Sequence, residues 1–95
     1  MSAKSDFMRA KLVASTLVDA QPFIAKNIRR ITVHRLWEYA NRNRIMDFDS
    51  AFVTQSFRDQ RDSIEAWGTA RLTATSAATT LAELIVIFDD IAAYI

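Results

Sequence analysis

The 95-residue sequence contains no cysteine, one glycine and one proline. Without cysteine, the chain can form neither a disulfide framework nor a thiolate metal site. A single glycine excludes the glycine-rich phosphate-binding loops of P-loop and Rossmann proteins. Hairpins and sheet turns also depend on glycine and proline, so the scarcity of both residues favours helices.

Long uninterrupted hydrophobic runs are missing as well. The N-terminal segment carries charged residues from Lys4 to Asp19 and does not resemble a signal peptide. The apolar run LAELIVIFDDIAAYI is interrupted by Glu83, Asp89 and Asp90. It is shorter than the roughly 20 apolar residues that a membrane-spanning helix needs. We therefore expect a cytoplasmic protein that does not bind membranes.

Hydrophobic residues make up 51% of the chain, which is enough for a core. The length predicts a single domain over residues 1–95. The apolar spacing predicts an all-α fold, a small bundle of about four helices. The predicted helices span residues 6–20, 22–43, 50–67 and 70–95.

The ends of these helices are predicted from capping and breaking residues. Ser5 is the expected N-cap of the first helix, and Gln21-Pro22 is the expected break before the second. Asp47, Asp49 or Ser50 would cap the third helix. Gly68 would end the third helix, with a helix that continues through Gly68 as the alternative.

The second predicted helix carries two apolar stripes. Ile24, Ile28 and Ile31 form the first stripe. The second stripe is displaced by roughly 120–150° and contains Val33, Leu36, Trp37 and Ala40. One neighbouring helix cannot cover both stripes. We expect this helix either to bend near Thr32 or to meet different neighbours along its length.

The fourth predicted helix is long and follows a heptad pattern. The heptad seam contains Ala70, Ala74, Ala77, Leu81, Leu84, Phe88, Ile91 and Ile95. The apolar arc of this helix covers about 200°, whereas a surface helix needs about 100°. The excess predicts a homo-oligomer, most simply a two-fold dimer. Its interface would contain Leu81, Leu84, Phe88, Ile91 and Ile95.

The charge of the chain is unevenly distributed. Residues 1–44 carry 9 Lys and Arg against 3 Asp and Glu, a net charge of +6. Residues 45–95 carry 3 against 8, a net charge of −5. Such asymmetry is typical either of a charged interaction surface or of two halves that pack on each other.

The positive charge is concentrated in residues 24–44 and has three interpretations. These arginines could bind an acidic patch of another protein, bind nucleic acid, or pair with the acidic half of the chain itself. The basic face predicted to bind a partner contains Lys26, Arg30, Arg35 and Arg42, with Trp37 or Tyr39 as an aromatic anchor.

Nucleic-acid binding is the less favoured of the two intermolecular interpretations. On an ideal helix Lys26, Arg30 and Arg44 lie together, whereas Arg35 and Arg42 point nearly the opposite way. The net charge of the chain is only +1. No zinc-finger, RRM or KH signature is present.

The residues that carry catalytic or metal chemistry are sparse. His34 and Glu38 are spaced to share a helix surface, but a catalytic zinc takes three protein ligands. Asp89 and Asp90 point about 100° apart on a helix and form no carboxylate dyad. We therefore expect no enzyme activity, no metal and no cofactor.

The expected function is a non-catalytic helical protein–protein interaction module, such as a small regulator or inhibitor. The alternative is a small nucleic-acid-binding protein that uses the basic helix 24–44.

Overall fold

The computed structural model describes residues 2–46 and 53–95. Within these ranges the chain is helical and contains no strand. The helices are Ala3–Val13 (α1), Leu17–Arg42 (α2), Gln55–Ala77 (α3) and Leu81–Ile91 (α4), followed by a 3-10 turn at Ala92–Tyr94. The predicted all-α fold is therefore confirmed for the described residues.

Each α-helix begins behind a hydroxyl side chain that accepts an amide N–H of the first turn. The N-caps are Ser2, Thr16, Thr54 and Thr80. Ser5, the predicted cap of the first helix, instead lies inside α1 and is buried. The predicted caps of the third helix, Asp47, Asp49 and Ser50, lie outside the described residues.

The predicted break at Gln21-Pro22 is wrong, because α2 already begins at Leu17. The Thr16 Oγ1 accepts the Asp19 N–H at 3.2 Å and starts the helix ahead of the proline. Pro22 lies in the second turn of α2, where it removes one backbone hydrogen bond without ending the helix.

The predicted continuous helix over residues 70–95 is also wrong in extent. A break separates α3 from α4, and Thr80 and Glu83 stabilise it. The Thr80 Oγ1 accepts the Glu83 N–H at 3.2 Å, and the Glu83 carboxylate accepts the Thr79 N–H at 3.1 Å. This reciprocal arrangement resembles a capping box, which starts a new helix at Leu81.

A side chain of α2 stabilises the same break from the other side. The Gln21 Nε2 donates to the carbonyl oxygens of Thr75 at 3.2 Å and Ala78 at 3.3 Å. These hydrogen bonds satisfy carbonyls that the end of α3 leaves without helical partners. The seam residues of the predicted long helix are therefore divided between α3 and α4.

The antiparallel pair of α2 and α3 is held closely together at Gly68. This glycine lies inside α3, so the alternative of a helix that continues through it is confirmed. A Cβ at Gly68 would lie 2.4 Å from the Thr32 Oγ1 and 3.0 Å from the Thr32 Cγ2. Only glycine therefore allows α2 to approach α3 this closely.

The buried side chains form two clusters along α2. The first cluster joins α1, α2 and α4 and includes Leu12, Ile24, Ile28, Ile31, Leu84, Phe88 and Ile91. The second contains Ala40, Val53 and Phe57, with Tyr39 and Ile45 packed against it. The first stripe of α2 therefore packs against α1 and α4 and Ala40 packs against Val53 and Phe57, whereas Val33 of the second stripe is exposed.

The end of α2 is closed by a Schellman motif. The Ile45 N–H donates to the Ala40 carbonyl at 2.9 Å, and the Arg44 N–H donates to the Asn41 carbonyl at 3.2 Å. Arg44 adopts the left-handed conformation, with φ of 57°, at a position that usually holds glycine. The motif places Ile45 against the second cluster.

The molecule is flat. Its principal extents are 48 × 28 × 15 Å and its radius of gyration is 15.2 Å. A compact chain of this length has a radius of gyration of about 12–13 Å. Much of the surface of the two long helices, α2 and α3, therefore remains open.

We predict that Gly68→Ala destabilises the protein, although alanine is the better helix former. The new Cβ would meet Thr32, and rotating this β-branched side chain only exchanges one close contact for another. Strain outweighs the gain in helix propensity, so we expect a loss of about 1–2 kcal/mol in the free energy of unfolding. Urea denaturation followed by circular dichroism measures it.

Two control variants accompany this measurement. Adding Thr32→Ala to Gly68→Ala removes the contacted atoms and should restore part of the stability. Thr69→Ala changes an exposed neighbour and should leave the free energy of unfolding within about 0.5 kcal/mol. An increase in stability for Gly68→Ala alone would show that α2 and α3 can separate without cost.

Candidate functional site

A cluster of cations and aromatic rings joins α2, α3 and the terminal 3-10 turn. The Arg35 Cζ lies 4.9 Å from the centroid of the Trp67 ring and 4.5 Å from that of the Tyr94 ring. The Arg71 Cζ lies 5.0 Å from the Trp67 centroid. The Trp67 and Tyr94 rings meet edge to face, 5.2 Å apart. We call Arg35, Trp67, Arg71 and Tyr94 the cation–π cluster.

The two arginines of the cation–π cluster differ in their charge partners. Arg71 forms an ion pair with Asp90 at 2.9 Å. Arg35 forms no ion pair within residues 2–46 and 53–95, and its buried Nη1 has no hydrogen-bond acceptor among them. A buried donor without an acceptor is unfavourable by roughly 1–3 kcal/mol. An added acceptor at Arg35 would therefore be stabilising.

A pocket of about 310 Å³ lies beside Arg35. It is lined by Arg35, Glu38, Tyr39, Arg42, Gln60, Ile64 and Tyr94. Its one carboxylate, that of Glu38, lies 3.0 Å from the Nε2 of His34 at the surface of α2. We call it the Arg35 pocket.

A second, smaller pocket of about 180 Å³ is also lined by Tyr94. It is lined by Lys4, Arg30, Ile31, His34, Tyr94 and Ile95. Tyr94 is the residue that the two linings share. We call this one the Arg30 pocket, and the two pockets together the basic groove.

The basic groove brings together three of the four predicted basic residues. Arg30, Arg35 and Arg42 line it, although an ideal helix predicts that Arg35 and Arg42 point away from Arg30. The reason is that Arg35 and Arg42 continue the buried face of Ile28 at heptad spacing, and Tyr94 reaches across this face. Lys26 is exposed and lines neither pocket.

The two predicted aromatic anchors occupy different places. Tyr39 lines the Arg35 pocket, but its ring is already stacked on Phe57 with centroids 5.0 Å apart. Trp37 is 48% exposed and follows Val33 by one turn on a different face of α2. The two rings therefore do not form one aromatic site.

Sequence reasoning missed Trp67, Tyr94 and Gln60 as partners of the basic helix. Trp67 lies on α3 and Tyr94 in the terminal 3-10 turn. Their contacts with Arg35 join distant parts of the chain, and no local spacing predicts them. The excess of aromatic residues was the only available signal, and it does not indicate which ring meets which cation.

The predicted oligomer interface lies mostly inside the single chain. Leu84, Phe88 and Ile91 have 0% exposure and belong to the first core cluster. Leu81 and Ile95 are half-buried against the same cluster. The break before α4 allows this helix to fold back, so α1, α2 and α3 cover its wide apolar arc. Leu84→Asp would bury a carboxylate in the core and therefore does not test for a dimer. A homodimer stays a prediction, and its interface would lie on another surface.

Among the described residues, an ion pair between the basic and the acidic half of the chain is formed by Arg9, which lies outside residues 24–44. The Arg9 Nε and Nη2 donate to the two carboxylate oxygens of Asp89 at 2.8 and 3.2 Å and join α1 to α4. This hydrogen bond and the charge of Asp89 raise the pKa of Arg9 above its ordinary value. In the described part of the chain, ion pairs are absent for Arg29, Arg30, Arg35, Arg42 and Arg44.

His34 and Glu38 form the predicted surface contact of α2. Over the described ranges, no three His, Cys, Asp or Glu side chains come together as metal ligands. None of the helices in these ranges has the length and hydrophobicity of a membrane span.

No protein-family model matches the chain, and neither a curated protein nor a solved structure matches it. We therefore infer function from the geometry of the chain's own residues. The basic groove is the feature with both a defined shape and an unsatisfied charge.

We predict that Tyr94→Ala destabilises the protein, whereas Tyr94→Phe does not. Alanine removes the ring that contacts Arg35 and Trp67, and we expect a loss of about 1–2 kcal/mol in the free energy of unfolding. Phenylalanine keeps the ring and should stay within about 0.5 kcal/mol of the wild type. Urea denaturation measures both, and equal stability of all three proteins would show that the ring does not hold Arg35.

Proposed function

We propose that this protein is a non-catalytic helical binding protein that recognises an acidic segment of another protein through the basic groove. The observation that carries the proposal is the guanidinium of Arg35, whose buried Nη1 has no acceptor among the described residues. It lies at the wall of a pocket that Arg42 also lines. A carboxylate in this pocket would accept from Arg35 in a charge-assisted hydrogen bond.

The charge of the groove supports an acidic ligand. Its cationic side chains are Lys4, Arg30, Arg35 and Arg42, and the only carboxylate side chain that lines either pocket is that of Glu38. Such a surface attracts acidic partners during diffusion and determines their orientation.

The dimensions of the groove support a short segment of protein. Arg30 and Arg42 are separated by about 18 Å along α2. About five or six residues of extended chain cover this distance. Tyr94 divides the groove into two pockets, each of which accommodates one side chain better than a continuous phosphate backbone. By covering an acidic surface, the protein would act as a small regulator or inhibitor.

Nucleic-acid binding is less well supported by the same geometry. A nucleic-acid site on a single strand combines cations with aromatic rings on which bases stack. Tyr39 is already stacked on Phe57, and Trp37 lies on a different face of α2 from the groove. Tyr94 contacts Arg35 with its ring. Among the described residues, Tyr39, Trp37 and Tyr94 therefore offer the cations of the groove no suitable stacking platform.

The test measures binding of a fluorescent peptide of about twelve residues that is rich in Asp and Glu, a length that exceeds the groove. We expect Arg42→Glu to weaken binding roughly ten- to hundred-fold, because a charge-assisted hydrogen bond contributes about 1.5–3 kcal/mol. Lys11→Glu is the matched control, since it makes the same charge change on α1 outside the groove. The neutral peptide with Asn and Gln should not bind.

The alternative function is tested in the same assay with duplex DNA and single-stranded RNA at about 50 and 200 mM salt. Binding of these probes that depends on Arg42 and falls steeply with salt would favour nucleic acid. Equal binding of the acidic and the neutral peptide would contradict the proposal. Cross-linking and affinity capture from the source cell would then identify the natural partner.

A further inference from the structure

The guanidinium of Arg35 lies in a corner between two aromatic rings. Its Cζ is 4.9 Å from the centroid of Trp67 and 4.5 Å from that of Tyr94, and the two centroids are 5.2 Å apart. Because these three distances are nearly equal, the rings flank the guanidinium on adjacent sides and do not enclose it from opposite sides. Of the two rings, only that of Tyr94 belongs to a residue that lines the Arg35 pocket.

This arrangement withholds one hydrogen-bond donor of Arg35 from ligands. The Nη1 is buried and has no acceptor among the described residues. The faces of the two rings attract the positive charge but do not replace a hydrogen-bond acceptor. Glu38, whose carboxylate lines the same pocket, lies 3.0 Å from the Nε2 of His34 instead. Arg35 therefore carries a donor that is both unsatisfied and covered, which is unfavourable.

Tyr94 is the ring that can move away from Arg35. It is 47% exposed and belongs to a 3-10 turn of three residues. Ala92, the first residue of this turn, is 2% exposed and anchors it in the core. Rotation of an exposed side chain toward solvent is fast and leaves such an anchor in place. Trp67, in contrast, lies within the 23 residues of α3 and packs against the first core cluster.

We propose that Tyr94 is a gate that controls the access of an acidic ligand to Arg35, an inference that rests on the proposed function of the basic groove. With the ring against Arg35 the gate is closed, and the cation–π contact stabilises the fold. When the ring rotates into solvent, the Nη1 of Arg35 is uncovered. A carboxylate of the ligand then accepts from it in a charge-assisted hydrogen bond and replaces the ring as the partner of the cation.

The gate makes the affinity depend on the balance between a closed and an open state. Closing gains the contacts of Tyr94 with Arg35 and Trp67. Opening lets water or a ligand reach the buried donor, which removes the cost of leaving it unsatisfied. Because these contributions are of similar size, a ligand carboxylate that binds only the open state is enough to shift the balance. A protein that is only partly in its binding-competent state binds more weakly by that fraction.

The gate itself is tested without any ligand, by chemical modification of arginine. Phenylglyoxal reacts across both terminal nitrogens of a guanidinium, and mass spectrometry gives the rate for each arginine. In the wild type and in Tyr94→Phe, we expect Arg35 to react at least about ten-fold more slowly than the exposed Arg42. In Tyr94→Ala, its rate should rise to within about three-fold of that of Arg42. Equal rates of Arg35 in the wild type and in Tyr94→Ala would overturn the gate.

The effect of the gate on binding is measured with the acidic peptide. We expect Tyr94→Ala to bind the peptide roughly ten-fold more tightly than the wild type, because the closed state no longer competes. Adding Arg35→Gln to Tyr94→Ala should remove this gain. Phe7→Ala is the matched control, since it removes an exposed ring outside the groove and should leave the affinity unchanged.

A second open variant covers the case in which Tyr94→Ala does not fold. Tyr94→Leu keeps an apolar side chain beside Trp67 but offers no ring face to Arg35, so it should show the same gain in arginine reactivity and in affinity. Circular dichroism identifies the variants that keep the helical fold.

The outcomes distinguish this inference from the proposed function. If the acidic peptide binds no variant, the proposed function is wrong and so is the role of the gate in binding, whereas the arginine rates still decide whether the ring covers Arg35. If the peptide binds the wild type but binds Tyr94→Ala equally or more weakly, the gate is overturned and the basic groove remains the proposed site. A gain in affinity that survives Arg35→Gln would overturn the gate as well.

Discussion

The close contact between Gly68 and Thr32 determines how the two long helices present their side chains. Because α3 has no Cβ at this point, α2 lies directly against it and the pair has two separate sides. On one side, α2 contributes Ile24 and Ile28 to the core that α4 completes. On the other side, residues of α2 and α3 line a groove of about 440 Å³. Trp67, next to Gly68 in the chain, points away from this groove and meets Arg35.

The basic groove forms where the buried face of α2 extends beyond α1 and α4, the helices that cover it. Ile24, Ile28 and Ile31 meet α1 and α4, but the same face continues in Arg35 and Arg42. The half-buried guanidinium of Arg35 is stabilised there by aromatic rings. The faces of Trp67 and Tyr94 attract its positive charge in the absence of an ion pair with a described residue. They do not supply hydrogen-bond acceptors, so the buried Nη1 of Arg35 has no acceptor among the described residues.

Periodicity predicts the helices and much of the core, because both depend on local spacing. Ile24, Ile28 and Ile31, the first stripe predicted for α2, are buried in the core. Helix ends are less predictable, since a cap contributes only about 1 kcal/mol to stability and its sequence signal is weaker than the apolar periodicity of the helix. The heptad pattern runs through Thr80-Leu-Ala-Glu83, so it predicts a continuous helix where this capping signal starts a new one. The hydrogen bonds that Gln21 of α2 donates at the same break have no signal in the local sequence. Arg30, Arg35 and Arg42 were predicted as site residues, whereas the role of Tyr94 depends on tertiary contacts alone.

The wide apolar arc of α4 and the second apolar stripe of α2 both need neighbouring helices to remove them from solvent. Folding α4 back onto α1, α2 and α3 buries Leu84, Phe88 and Ile91 within the chain. The 26 residues of α2, however, present more lateral surface than its shorter neighbours α1 and α4 can cover. Apolar side chains nevertheless stay exposed on both helices, with Val33 of α2 at 53% and Val86 of α4 at 69%. In a chain this flat, part of the surface of the longest helix stays exposed to solvent.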